Sequence, residues 1–106
     1  MHICDYLAAL ALVNEEREGA GLPPLARLPR GFPLDPRRCV IANAIPGSIV
    51  YERLWTARGS RELPPAVVRF IGEFDARGLR RRGELIDPCA LVDGGVDEDK
   101  GCLVPA

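Results

Sequence analysis

The sequence predicts a small α+β domain, with about three helices packed on a small antiparallel β-hairpin. Three observations carry that prediction. Val67, Phe70, Ile71 and Phe74 fall at i, i+3, i+4 and i+7, the spacing of one apolar helix face. Residues 48–56, SIVYERLWT, are rich in β-branched and aromatic types that favour strands. Ten prolines and eleven glycines in 106 residues punctuate the chain between such runs. A chain of this length forms one domain and buries one modest core without needing metal or disulfides.

Asp5 is expected to cap a first helix over Tyr6–Glu18, with Tyr6, Leu7, Leu10 and Val13 on one side and Gly19 or Gly21 at its end. Glu15, Glu16 and Glu18 crowd its last turn, where the helix dipole disfavours negative charge. A neighbouring arginine would relieve that conflict. Residues 19–36 read as a Pro-rich, extended connection. Asp35-Pro36 is a helix start, with Asp as cap and Pro at the first position, so a short helix Arg37–Ile45 is expected before Pro46-Gly47 stops it.

Residues 48–56 are assigned to a strand, with Ile49, Tyr51 and Trp55 on one face. They also fit a helix, with Val50, Tyr51, Leu54 and Trp55 as its stripe and Ser48 as its cap. Arg58-Gly59-Ser60 would turn the strand into a partner, Arg61–Leu63. Pro65–Arg77 is the most strongly patterned helix, ended by Gly78, with Arg69, Glu73 and Arg77 as a solvated ion-pair row. Cys89–Val92 and Cys102–Val104, around a Gly- and Asp-rich loop, form either a terminal hairpin that brings Cys89 near Cys102 or an acidic, flexible tail over 93–106. Phe70, Ile71, Phe74, Leu10, Ile41 and Trp55 are expected in or near the core.

The charge is sorted along the chain. Residues 27–82 hold twelve arginines, no lysine and five acids, a balance of +7, between ends of −3 and −5. That pattern points to an anionic partner or to contact between the segments themselves. Arg77, Arg80, Arg81 and Arg82 follow a helix end, and Arg37 and Arg38 sit in the first turn of a short one. Both groups are candidate phosphate contacts, giving affinity without sequence information. A helix-turn-helix over Arg37–Arg58 is a sharper form of the same idea and requires residues 49–58 to be helical. Pairing of Arg80–Arg82 with the acidic tail is the alternative. Phe32, Tyr51 and Trp55 are the candidate anchors of a protein interface.

Little in the sequence supports catalysis. The only histidine, His2, and the only lysine, Lys100, lie near the ends, and neither a phosphate loop nor a G-x-G-x-x-G is present. The four cysteines include no C-x-x-C pair, so no metal site is expected. The acids Asp93, Asp97, Glu98 and Asp99 lack the order of a calcium loop. No cofactor is called for. The longest apolar run, Tyr6–Val13, is too short to span a membrane, and no signal peptide is recognised, so a cytoplasmic protein is expected.

The segment Leu12–Leu25, LVNEEREGAGLPPL, resembles the opening helix of bacterial CAP-superfamily secreted domains. The histidine segments of that family are absent, and no residue role is carried over. The stretches Leu28–Ala44 and Leu63–Asp75 are similar to small uncharacterised proteins of actinobacteria and their phages. That resemblance implies no particular activity and suggests an accessory protein of a phage or mobile element. The expected function is non-enzymatic binding and regulation, with the arginines on nucleic-acid phosphate; the alternatives are an inhibitor or adaptor acting on a host protein and a structural subunit of a larger assembly.

Overall fold

The computed structural model describes residues 1–92. The expected 93–106 tail, its acidic loop and Cys102 lie outside the described residues. Within them the chain forms α1 (Ile3–Gly19), α2 (Val40–Ala44), β1 (Ile49–Val50), β2 (Arg53–Thr56), β3 (Gly59–Glu62) and α3 (Pro65–Gly78). The strands make one antiparallel sheet in the order β1-β2-β3, and the fold is α+β. No helix among the described residues is long and apolar enough to cross a membrane.

Helix α1 begins earlier than the sequence suggests. His2, not Asp5, caps it, its Nδ1 accepting the Cys4 N–H at 3.0 Å. Asp5 falls inside the first turn, where the dipole welcomes a negative charge. Asp5, Tyr6, Ala9, Leu10, Leu12, Val13 and Glu16 are buried along one broad face of α1, while Cys4, Leu7, Ala11, Glu15 and Glu18 on the other side are exposed. The helix packs most extensively on α3.

Tyr6 is the centre of that packing. Its ring meets Phe70 edge-on at 6.2 Å, and Phe70 stacks on Phe74 at 6.3 Å. Its hydroxyl accepts the Leu28 N–H at 2.9 Å and lies 3.2 Å from Cys89 Sγ. Those partners satisfy a group that would be costly to bury alone, and burial pushes the phenol pKa up. Cys89 is disulfide-bonded, whereas Cys4 and Cys39 are free.

The Pro-rich connection bends at residues 26–27 and turns at 33–34, and it is pinned to α1 by side chains. Asn14 exchanges two hydrogen bonds with the Leu25 backbone at 2.7 and 3.0 Å. Arg17 donates to the Pro23 and Ala44 carbonyls, both at 2.9 Å. Further on, Gly31 and Ile86 form an isolated antiparallel bridge.

Helix α2 is shorter than the expected Arg37–Ile45. The Asp35 carboxylate does accept the Arg37 and Arg38 N–H groups, but it closes a turn rather than a helix. The Arg38 carbonyl is taken by the Phe32 N–H at 2.8 Å and by Asn43 Nδ2 at 3.0 Å, so it is committed outside the helical ladder. Arg37 and Arg38 therefore precede α2 instead of forming its first turn.

The run 48–56 is strand, but it folds back on itself. Val50 pairs with Leu54 and Ile49 with Trp55, leaving Tyr51 and Glu52 at the bend. A continuous strand would put Val50, Glu52 and Leu54 on one face and carry the Glu52 charge inward. Bending there lets Val50 and Leu54 both face the core while Glu52 stays in water. The second turn is Ala57-Arg58, so β3 starts at Gly59 rather than Arg61. This sheet overturns the helix-turn-helix. It also corrects the place of Trp55: Leu54 is fully buried, and Trp55, one residue on, is 49% exposed. Phe70, Phe74, Leu10 and Ile41 are in the core, with Ile71 packed at its edge.

Two further elements differ from expectation. Cys89–Val92 is not a strand. Asp87 accepts the Cys89 N–H at 3.0 Å and caps a 3-10 turn over Pro88–Leu91. Gly78 does not end α3 in a left-handed cap, because the chain continues into a 3-10 turn over Leu79–Arg81. Its role is close approach: a Cβ there would stand 2.5 Å from the Pro33 Cβ.

Gly78→Ala should therefore destabilise the protein by about 1 kcal/mol net in chemical denaturation. Overpacking costs about 1–3 kcal/mol, against the roughly 1 kcal/mol that Ala gains in a helix. Gly72→Ala, where a Cβ meets nothing within 4 Å, should show that helical gain of about 0.5–1 kcal/mol alone. Equal effects from both would place Pro33 away from α3.

Candidate functional site

Eight of the twelve arginines between residues 27 and 82 stand in ion pairs with acids of the described residues. The strongest cluster forms where the β2–β3 hairpin meets the end of α1. Arg58 reaches Glu16 at 2.6 Å, and Arg61 reaches Glu16 at 3.2 Å and Glu15 at 3.5 Å. Arg58 also donates to the Glu16 carbonyl and occupies the space a side chain at Gly19 would fill. These cations remove the dipole conflict at the acidic end of α1. Burial alone would push the Glu16 carboxyl up, but hydrogen bonds and charge from Arg58 and Arg61 outweigh it and hold the pKa below its ordinary value.

The sequence-derived arginine site is only partly available. Arg77 pairs with Glu73 at 3.6 Å and Arg81 with Glu84 at 2.8 Å. Arg38 pairs with Asp35 at 2.9 Å and lies over the Phe32 ring at 5.0 Å, half-covering that candidate anchor. Arg69 leaves its expected row to meet the buried Asp5 at 3.2 Å. Arg37, Arg80 and Arg82 are exposed and have no ion pair among the described residues.

The other two candidate anchors are open. Tyr51 is 66% exposed at the β1–β2 bend, and Trp55 stands on the outer face of the sheet with Ile49 and Ser60 as its cross-strand neighbours. Arg53, on the same face, bonds Ser60 Oγ at 3.3 Å and lies 4.0 Å from Glu62.

Beside Tyr51 a groove of about 290 Å³ runs between α3 and the turn that precedes α2. Leu34, Cys39, Tyr51, Ile71 and Phe74 line it, and Asp75 supplies its half-buried carboxylate. Asp75 Oδ1 accepts the Leu34 N–H at 2.9 Å. Leu34 itself is left-handed, at φ 59°, a conformation that costs a non-glycine residue roughly 1–2 kcal/mol. Burial pushes the Asp75 carboxyl up, and the single amide donor offsets this only in part. Burial likewise pushes the Cys39 thiol up, so it stays neutral on the groove wall.

Sequence reasoning passed over this groove. Its one available signal was Asp75 at i+4 from Ile71, a carboxylate on the border of the apolar face of α3. No group of three His, Cys, Asp or Glu side chains among the described residues is placed to hold a metal ion. A scan of protein-family models, a search of curated proteins and a search of solved structures each return no match to the chain.

Glu16→Gln should lower stability at pH 7 by about 1–2 kcal/mol, since Arg58 and Arg61 are partly exposed and water screens the loss. The wild-type advantage is present above the ordinary glutamate value of 4.5 and is lost as pH falls through the depressed folded value. Denaturation curves of the two proteins should therefore converge in acid. Asp75→Asn should have the opposite sign. A raised carboxyl pKa costs stability once pH exceeds the unfolded value, so the amide should raise the melting temperature at pH 7 and give no gain near pH 3.

Proposed function

We propose that this protein acts by binding another protein, as an inhibitor or adaptor, with Tyr51 and Trp55 as its anchors. The observation that supports this most is the exposure of Trp55 on a paired hairpin whose inner face is already used by Leu54 and Val50. Aromatic side chains held on a short paired turn bind with little ordering cost. The ion pairing of most arginines also favours this reading over a broad cationic surface for nucleic acid.

A second reading rests on Arg37, Arg80 and Arg82. The turn carrying Arg37 packs on α3 through Pro33–Gly78 and Leu34–Asp75, and the Arg80–Arg82 run continues from the end of that helix. Three exposed arginines of this kind suit phosphate contacts.

Trp55 is the single tryptophan of the chain, so its fluorescence reports this surface directly. Emission close to that of free tryptophan is expected for the isolated protein. Photo-crosslinking residues placed at 51 or 55 in the producing cells should yield one discrete protein adduct, absent with the same residue at the exposed Leu85. Absence of an adduct at 51 and 55 overturns the first reading. Salt-sensitive binding to duplex DNA that Arg80→Ala with Arg82→Ala abolishes would establish the second.

A further inference from the structure

We infer that the groove between α3 and the Pro33–Cys39 turn is a socket for a basic side chain of the partner protein. An arginine or lysine stem would lie on Leu34, Tyr51 and Ile71, with its cation on Asp75. This inference rests on the protein-binding reading above and specifies what that partner presents.

The carboxylates of the described residues carry the argument. Five are buried or half-buried: Asp5, Glu16, Asp35, Asp75 and Asp87. Four of them are neutralised by arginine, Asp5 by Arg69, Glu16 by Arg58 and Arg61, Asp35 by Arg38 and Asp87 by Arg27. Asp75 is the exception. Among the described residues its one hydrogen-bond partner is the Leu34 amide, and no cation pairs with it. A carboxylate withdrawn from water favours a positive partner. Asp35, the other acid on the groove wall, is already satisfied by Arg38, and the Cys39 thiol is neutral, so nothing else there answers that charge.

The shape selects the kind of cation. Small-molecule sites enclose most of their ligand, but here Tyr51 and Leu34 leave the rim open, 66% and 42% exposed. An open apolar channel with one carboxylate left without an arginine matches a long basic side chain, whose methylene stem is apolar and whose head is charged. It enters from outside while its own backbone remains on the surface beside Tyr51. Leu34 fits the same picture, because its strained backbone is held at the rim by the carboxylate that the cation would meet.

The test is an NMR titration of the full chain, isotope-labelled, with three capped tetrapeptides: acetyl-Gly-Leu-Arg-Gly-amide and the same peptide with glutamine or glutamate for arginine. Shifts at Leu34, Tyr51, Ile71 and Asp75 are expected with the arginine peptide, with at least tenfold weaker binding of the other two. Asp75→Asn should reduce the arginine peptide to the level of the glutamine one. Equal binding of the arginine and glutamine peptides, or no effect of Asp75→Asn, overturns the socket. If crosslinking at 51 and 55 still captures a partner in Asp75→Asn, with no peptide binding to the wild type, the binding function stands and the socket falls. Selective arginine-peptide binding with no adduct at either position would instead overturn a partner protein as the source of the cation.

Discussion

The Glu16 carboxylate sets the disposition of the molecule. It closes the acidic end of α1, draws Arg58 and Arg61 inward, and so seats the β2–β3 hairpin against that helix. With the hairpin held by its arginines and by Leu54, the opposite face of the same strand is left outside. The exposure of Trp55 follows from that choice of face. One ion cluster thus both uses up part of the basic middle of the chain and presents the aromatic surface. Charge sorting along the sequence is in large part a record of internal pairing, with acids at the start of the chain answering arginines in the middle.

The groove has a different energetic character. Every buried side-chain polar atom among the described residues has a partner, so the fold is not loosely made. Yet at this one place it holds a half-buried carboxylate without a cation and a leucine in a left-handed turn. Both features work against folding, and both depend on rigid surroundings to persist. Those surroundings are the Phe70–Phe74 stack and the Pro33 contact on Gly78. Local cost held in place by a well-packed core is the usual relation between a binding surface and its scaffold.

What could be read from the sequence follows from how local each determinant is. The α3 stripe depends only on spacing, and the helix lies where that spacing puts it. The relief of the α1 acids by arginine was also legible, because the conflict is visible in the sequence and only the identity of the partners is tertiary. The strand at 48–56 was legible in type but not in path. The aromatic mass of Trp55 suggested the inward face, whereas the Glu52 charge forces a bend that turns Leu54 inward instead. Asp35-Pro36 is a sound helix start whose helix is pre-empted by a hydrogen bond from Phe32 to the Arg38 carbonyl. Asp75 was not legible, because its isolation is a statement about every arginine in the fold and cannot be seen along one helix.

The bridge between Gly31 and Ile86 has a consequence for how the molecule comes into being. It joins two segments separated by the whole of α2, the sheet and α3. Contacts of such sequence separation form late, because the intervening chain must be ordered before they are rewarded. Until Ile86 is in place Gly31 lacks this pairing, although the turn that follows is already tied to α3 through Asp75 and Gly78. Closure of the bridge therefore belongs to the last stage of folding, after the hairpin and α3 are already ordered.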